Sequence, residues 1–287
     1  MKRLARRILR AAGRQALSAA DWVLDTYYHP RHAMDETAIK RAAEHVARAR
    51  RVLVCAGSGL SAESGVPTFR GKDGMFRDPA IARMTQVDTF ETDRQAMMRW
   101  YQARRDKLDT IEPNPGHLAL IELANLANYT FATQNVDHLL EAAAGEVGYR
   151  PPIHHLHGSL LEVLCNDCGN SFEDLTLDLG ALPPCEVCGG PLRPGVVWFG
   201  ESLPEEALRA SAEAARRCDV CLVVGTSGLV HPAAALPETA RQFGAVLIEI
   251  NPNSSALSDI CQILIREKAG KALPTLLDEV RKLVDSK

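Results

Sequence analysis

From residue 37 onward, short and almost wholly apolar runs alternate with longer stretches in which apolar residues recur every three or four positions. The short runs are typical of buried strands, and the longer stretches are typical of amphipathic helices. Strands are predicted over 51–57, 129–135, 219–225 and 245–251. Helices are predicted over 38–49, 117–128, 204–217, 232–243 and 271–285. Apolar strands separated by helical stretches of about 10–15 residues predict an α/β fold built on a doubly wound parallel sheet.

Two segments interrupt this alternation. Residues 72–112 are charged and predicted to be helical, and residues 159–195 carry cysteines among many glycines and prolines. Because neither segment has enough apolar residues for a core of its own, we expect them to form one smaller domain together. The main domain is then predicted to comprise 37–71, 113–158 and 196–287, with its ligand site at the carboxyl ends of the strands.

Residues 1–36 precede the alternating pattern and form a basic extension. Six basic residues, at positions 2, 3, 6, 7, 10 and 14, come before the first acidic residue, Asp21, and Leu4 and Ile8 can share one helix face. The pattern is interpreted as a solvated helical extension. A mitochondrial targeting helix and a helix lying on a membrane surface are the alternatives.

Composition excludes several classes of protein. The 287 residues are 46% hydrophobic and 24% charged, with a net charge of −3, which argues against disorder and against a basic surface for nucleic acid. No apolar run approaches the roughly 20 residues of a membrane-spanning helix, and the N-terminus does not resemble a secretory signal. A cytoplasmic location is predicted, with the mitochondrial matrix as the alternative. The oligomeric state stays open, and a monomer is the simplest expectation.

Four cysteines have the spacing of a metal site. Cys165, Cys168, Cys185 and Cys188 form two C-x-x-C pairs separated by 16 residues. Two such knuckles can place four thiolates around one tetrahedral ion, and a site closed by four protein ligands predicts structural zinc. Cys218 and Cys221 have the same local spacing, but they begin an apolar strand and are expected to be buried in the core.

A glycine-rich turn follows the first predicted strand. Gly57-Ser58-Gly59 would let backbone N–H groups approach a pyrophosphate. The third glycine of the dinucleotide-binding fingerprint is absent, so this turn alone is also compatible with a plain strand-to-helix connection.

Several longer motifs resemble those of the sirtuins, the NAD-dependent protein deacylases, in the order of that family. They are GSGLSAESGVPTFR (57–70), TQNVD (133–137), LHGS (156–159), the four cysteines, RPGVVWFGE (193–201), GTS (225–227), INP (250–252) and, near the end, KAG (268–270). The resemblance covers nearly all of the chain except residues 1–36. It implies a Rossmann-like domain with a smaller zinc-ribbon and helical domain, NAD as a consumed co-substrate, and acylated-lysine proteins or peptides as partners.

The resemblance also implies roles for individual residues. His157 would be the catalytic base, which acts on the ribose after nicotinamide leaves; an imidazole suits this task at neutral pH. His138, His154, His155 and His231 are equally plausible from their residue type alone. The implied cofactor-binding residues are Gly57, Ser58, Gly59, Ala62, Glu63, Phe69, Arg70, Gln134, Asn135, Asp137, Gly225, Thr226, Ser227, Asn251, Asn253 and Ala269. Val197, Trp198 and Phe199, within Val196–Gly200, would offer a free strand edge to an extended acyl-lysine peptide.

Tyr101 and Arg104 are predicted to recognise the acyl group. Three positions apart on a helix, a phenol and a guanidinium share one face and can bind a carboxylate. The pair resembles that of the sirtuin branch that removes succinyl, malonyl and glutaryl groups, so an acidic acyl group is expected, with acetyl also accepted. The alternative is a solvated helix on which Arg104 faces water and Arg105 pairs with Asp109.

Two departures from the family pattern affect the site: Ser58 replaces the usual alanine, and Leu140 replaces a histidine. Other functions also stay open at this point. They are protein mono-ADP-ribosyl transfer, NAD or ADP-ribose sensing without turnover, and a zinc-ribbon adaptor for nucleic acid, which the net charge disfavours.

Overall fold

The computed structural model describes residues 35–71 and 74–286. Apart from its last two positions, the extension predicted over residues 1–36 lies outside the described residues. No described helix is both long and apolar enough to cross a membrane.

A six-stranded parallel sheet forms the main body, in the order β3-β2-β1-β7-β8-β9. Its strands are β1 (Arg51–Ala56), β2 (Asn128–Thr133), β3 (Ile153–His155), β7 (Val220–Val224), β8 (Val246–Ile250) and β9 (Ile263–Ile265). The four longer strands are those that the apolar runs predict. β3 and β9 have three residues each, too few for a pattern to identify. The doubly wound parallel sheet is therefore confirmed.

Helices cover both faces of this sheet. The helices are α1 (Glu36–Val46), α2 (Ser58–Ser61), α3 (Pro79–Arg83), α4 (Val87–Thr92), α5 (Arg94–Arg105), α6 (Pro115–Ala124), α7 (Leu139–Val147), α8 (Glu205–Arg217), α9 (Ala235–Gln242) and α10 (Ala269–Asp285). Short 3-10 turns occupy Ala62–Ser64, Met75–Arg77, Leu108–Thr110, Leu179–Ala181 and Ser258–Ile260. One helical layer contains α1, α6, α7 and α10, which pack on one another, and the other contains α8 and α9. Alternate residues of β1, Leu53 and Cys55, join the core under α8 and α9, as the two-residue period of a strand requires.

A second, three-stranded antiparallel sheet has the order β5-β4-β6. It contains β4 (Gly158–Cys165), β5 (Ser171–Glu173) and β6 (Leu192–Val196). Buried side chains of α5, among them Met97, Met98 and Tyr101, share one apolar cluster with this sheet. The charged insertion and the cysteine insertion thus pack together. The domain boundaries given above stay predictions.

Strand order reverses between β1 and β7. From this pair the chain winds outward in both directions, through β2 and β3 on one side and β8 and β9 on the other. A crevice outside the carboxyl ends of the strands at such a reversal is where open α/β sheets bind ligands.

Candidate active site

One cavity of about 860 Å³ lies at this position, between the strand ends and the smaller sheet. Its wall contains the predicted base, His157, and the predicted acyl-recognition residues Tyr101 and Arg104. The predicted cofactor-binding residues on the wall are Gly57, Ser58, Gly59, Ala62, Glu63, Phe69, Arg70, Gln134, Asn135, Gly225, Thr226, Ser227, Asn251 and Asn253. Val197, Trp198 and Phe199 also contribute to the wall. Residues far apart in the chain are therefore brought together at one opening.

The floor of the cavity is formed by two backbone turns in close contact. A Cβ atom on Gly57 would lie 2.8 Å from Thr226 Cα, and one on Gly59 would lie 2.7 Å from Gly225 Cα. The Gly59 amide donates to the Gly225 carbonyl at 2.8 Å. Glycine is required here because the turns after β1 and β7 touch. The Gly57 amide donates to the Val224 carbonyl at 2.9 Å, so the N–H groups of both glycines are used within the fold and do not face a pyrophosphate.

Polar side chains connect the turns at neighbouring strand ends. Gln134 Nε2 donates to Thr226 Oγ1 at 3.1 Å, which joins the end of β2 to the end of β7. Asn251 Nδ2 donates to the Thr226 carbonyl at 3.0 Å and its Oδ1 accepts from the Asn253 amide at 3.2 Å. Thr226 is thus the centre of a preformed polar rim suited to hydroxyl and phosphate groups.

His157 is held in one tautomer. Its Nδ1 donates to the Gln134 carbonyl at 3.0 Å, so Nε2 carries the free lone pair when the ring is neutral. Burial lowers the pKa of His157, which keeps the ring neutral at pH 7. His231 also lies on the cavity wall, whereas His138, His154 and His155 do not. Of the candidate histidines, His157 combines an anchored ring with access to the cavity.

Asp137 and Ala269 are not on the cavity wall. The Asp137 carboxylate is buried and accepts from the Leu139 amide at 3.2 Å, because it caps the turn that begins α7. Ala269, the first residue of α10, is buried at the contact with Gly116. Its neighbour Lys268 occupies the wall instead. The role of Ala269 at the cofactor stays a prediction.

Arg104 lies on the cavity wall among aromatic side chains. Its guanidinium carbon is 4.9 Å from the centre of the Trp100 ring and 5.2 Å from that of Phe69, and Nη1 is 3.4 Å from Met75 Sδ. Within the part of the chain that the structure describes, Arg104 makes no ion pair. Desolvation lowers its pKa, although a guanidinium stays charged. The solvated-helix alternative is therefore wrong.

Tyr101 is buried beside Arg104, with its ring 6.3 Å from that of Trp198. Burial raises the pKa of the Tyr101 hydroxyl, so it remains a hydrogen-bond donor at every physiological pH. A phenol and a guanidinium thus reach the same end of the cavity, as their spacing predicts.

The cavity has an excess of positive charge. Among its described lining residues, the basic side chains are Arg70, Arg104 and Lys268, and the acidic ones are Glu63 and Glu201. Both carboxylates are already occupied: Glu63 accepts from the Gly270 amide, and Glu201 accepts from Arg193 and from the Trp198 amide. This excess of cations on the wall favours an anionic ligand.

The segment after β6 does not offer a free strand edge. The Val197 amide donates to the His157 carbonyl, and Phe199 pairs through both its amide and its carbonyl with Thr85 and Val87. Trp198 is 1% exposed and stacks 5.2 Å from the ring of Phe90. Because this indole enters the core of the smaller unit, the chain leaves the sheet at Val196, and the predicted free edge is wrong.

The four predicted zinc ligands converge. Their Sγ atoms all lie within 4.8 Å of one another, with Cys165 and Cys188 3.5 Å apart and Cys168 and Cys185 3.8 Å apart. Four thiolates at about 2.3 Å from a tetrahedral zinc ion need separations of this size. The residues fit one structural zinc ion. Cys218 and Cys221 are buried in the core, as predicted.

Several wall residues were not among the predicted site residues, notably Phe76, Trp100 and Lys268. Phe76 packs between Phe69 and Phe199, with ring centres at 5.1 and 5.8 Å. In the sequence, Trp100 directly precedes the predicted residue Tyr101, and Lys268 directly precedes Ala269 within the KAG motif. Aromatic rings therefore enclose the space between the two ends of the cavity.

Comparison with known proteins agrees with this geometry. The Sir2 family model matches residues 57–232. An NAD-dependent protein deacylase from Archaeoglobus fulgidus is 42% identical over 251 residues, which are 87% of this chain and 99% of that protein. A solved Sir2 homologue–NAD complex is 40% identical with a TM-score of 0.77, over 90% of this chain and 99% of that one. Sir2Af2 bound to a myristoylated histone peptide is 31% identical with a TM-score of 0.71, over 88% and 100% of the two chains.

Proposed function

Because this chain belongs to the Sir2 family, we propose that it removes succinyl, malonyl or glutaryl groups from protein lysines more efficiently than acetyl groups. The broader activity is that of an NAD-dependent protein deacylase, and the four-cysteine site binds one structural zinc ion. NAD supplies the ADP-ribosyl group that accepts the acyl group, with release of nicotinamide. What we propose beyond this broader activity is the preference for an acidic acyl group.

The cofactor is assigned to the end of the cavity formed by the glycine turns. Gly57 and Gly59 let the turns after β1 and β7 pack closely, and Gln134, Thr226 and Asn251 form the polar rim described above. The predicted Asp137 role becomes indirect, because its carboxylate orders the turn that follows Asn135.

His157 is assigned as the base. With Nδ1 fixed on the Gln134 carbonyl, Nε2 can accept a proton from a hydroxyl group in the cavity. The lowered pKa keeps this nitrogen unprotonated at neutral pH.

Phe69 and Arg70 are assigned to exclude water from the reacting centre. Phe69 stacks on Phe76, and the Arg70 guanidinium carbon lies 5.4 Å from the centre of the Phe76 ring. Such a cover suppresses hydrolysis. The substrate is an acylated lysine in a peptide, for which the related Sir2Af2–histone peptide complex provides a precedent.

Arg104 carries the proposal about the acyl group. It is a half-buried cation on the wall, held between two aromatic rings and without an ion pair in the described chain. A carboxylate at the end of an acyl chain would supply the missing partner, through two parallel hydrogen bonds from Arg104 and one from Tyr101. An acetyl group has no such carboxylate.

A panel of lysine peptides that carry acetyl, butyryl, succinyl, glutaryl or myristoyl groups tests this directly. Each charged hydrogen bond contributes roughly 1.5–3 kcal/mol, so Arg104→Met should lower desuccinylation at least about tenfold. Deacetylation should be spared. Arg99→Met, an exposed position on the same helix, is the matched control and should change neither rate.

Product masses distinguish loss of an acyl group from gain of ADP-ribose. If wild-type protein does not use succinyl-lysine, or if Arg104→Met lowers both rates equally, the acidic-acyl preference is wrong. The predicted cytoplasmic location stays a prediction.

A further inference from the structure

Arg105, the last residue of α5, follows Arg104 directly but lies in the opposite environment. It is 4% exposed, whereas Arg104 reaches the cavity. Only the solvated-helix alternative assigned it a role, as a surface charge paired with Asp109. Its burial therefore needs an explanation.

The Arg105 guanidinium donates to five backbone carbonyls. The acceptors are Leu160 at 2.8 Å, Leu161 at 3.3 Å, Glu162 at 3.4 Å, Asp174 at 3.3 Å and Leu177 at 3.2 Å. No carboxylate oxygen is among its hydrogen-bond partners in the described chain. A planar fork with five N–H donors can satisfy this set, and an ammonium group cannot.

These carbonyls belong to two different parts of the zinc ribbon. Residues 160–162 lie in β4 where its register with β6 shifts, between Gly158 and Val163. Residues 174 and 177 lie in the connection between the two cysteine pairs. Arg105 thus joins the end of α5 to both sides of the ribbon.

The joined helix end is also the part of α5 that carries Arg104. The last turn of a helix lacks some of its backbone hydrogen bonds and frays without tertiary support. Gln102 adds a second tie, since its Oε1 accepts from the Leu179 amide at 2.8 Å. The aromatic contacts of Arg104 do not by themselves fix this turn, because they involve the side chain alone.

We propose that Arg105 is a positioning residue for acyl selectivity, which anchors the last turn of α5 to the zinc ribbon and so holds Arg104 at the cavity wall. This inference rests on the proposed recognition of acidic acyl groups by Arg104.

The test is Arg105→Lys, which keeps the charge but removes the fork. We expect kcat/KM for a succinyl peptide to fall about tenfold, mainly through KM, and that for an acetyl peptide to change less than about twofold. Arg99→Lys, the same substitution at an exposed position of α5, should change neither value. In an Arg104→Met background, Arg105→Lys should not lower the succinyl-to-acetyl ratio further.

Equal losses for both peptides, or additive effects in the double variant, would show that Arg105 is merely structural. Should Arg105→Lys fail to fold, Gln102→Ala tests the same anchoring, with a smaller selective loss expected and an equal loss as the contrary result. If Arg104→Met is itself unselective, the proposed function fails. If Arg104→Met lowers desuccinylation selectively but Arg105→Lys does not, the proposed function stands and the positioning role of Arg105 is wrong.

Discussion

The two ends of the cavity are built by different means. At the cofactor end, the backbone and short polar side chains lie at the carboxyl ends of β1, β2, β7 and β8, within one sheet. At the acyl end, three side chains of α5 reach the wall, and that helix is held by packing and hydrogen bonds to the zinc ribbon. The first end is fixed by the pairing of neighbouring strands within one sheet, and the second by contacts between a helix and a separate, smaller sheet.

On the proposed assignment, the cofactor end carries the chemistry common to all acyl substrates, and the acyl end carries the specificity for the acyl group. Changes at the cofactor end should affect every acyl substrate alike, whereas changes at the wall of the acyl end should affect acidic substrates selectively. On the proposed assignment, a change in α5 that leaves the backbone turns intact should change the acyl group that is recognised.

Loss of zinc should have the largest effect, because it removes the support of the acyl end. Structural zinc contributes on the order of 10 kcal/mol to the folding of small zinc domains. Cys165→Ser should therefore lose zinc by elemental analysis, and its Tm should fall sharply. Both deacylation rates should fall in proportion to the folded fraction. Cys261→Ser, which changes a cysteine outside the metal site, should retain one zinc per chain; a zinc-free wild type would contradict the assignment.

His157→Ala should come next. Removal of a general base typically costs about 10²–10⁴ in rate, and desuccinylation and deacetylation should fall together. ADP-ribose binding, measured by calorimetry, should be nearly unchanged. His154→Ala is the control, because His154 lies in the preceding strand β3 and is not on the cavity wall. Turnover equal to that of the wild type would remove His157 from the chemistry.

A change at the cofactor rim should have a smaller, unselective effect. Asn251→Ala removes the hydrogen bonds to the Thr226 carbonyl and from the Asn253 amide. At about 0.5–1.5 kcal/mol each, the loss of both should raise KM for NAD roughly 5–150-fold with either peptide. A rise seen with only one of the two acyl peptides would break the separation between the two ends.

Variation of pH near neutrality should have the smallest effect. Burial lowers the pKa of His157, so the neutral base is fully present at pH 7 and above. Protonation on acidification then reduces kcat/KM, with a midpoint below the ordinary value of about 6.5. Profiles for both peptides should be flat between pH 7 and 8 and should fall together below that range. A midpoint above 7 would contradict the buried, neutral ring.

The contrast between the two ends also explains which features of the structure could be predicted from the sequence. The four long strands, the turn at Gly57 and the cysteine pairs are encoded by contiguous patterns of fewer than about 20 residues, and all were predictable. The free edge at Val197–Phe199 was wrong, since its tertiary partner Thr85 is remote in sequence. The burial of Ala269 against Gly116 was not predicted, for the same reason. Burial of Arg105 was unpredictable for the same reason: its five acceptors are backbone carbonyls, which no side-chain pattern reveals.

The reversal of strand order at β1 has a consequence for synthesis of the chain. Val52 pairs with Tyr129 on one side and with Val220 on the other. The ribosome adds about 5–20 residues per second. After β2 has been synthesised, roughly 5–20 seconds therefore pass before β7 can pair with the second edge of β1. During that interval an apolar strand edge is open to neighbouring nascent chains. The stage most vulnerable to aggregation is therefore the unfinished polypeptide, and a chain truncated before β7 should be insoluble however stable the complete enzyme is.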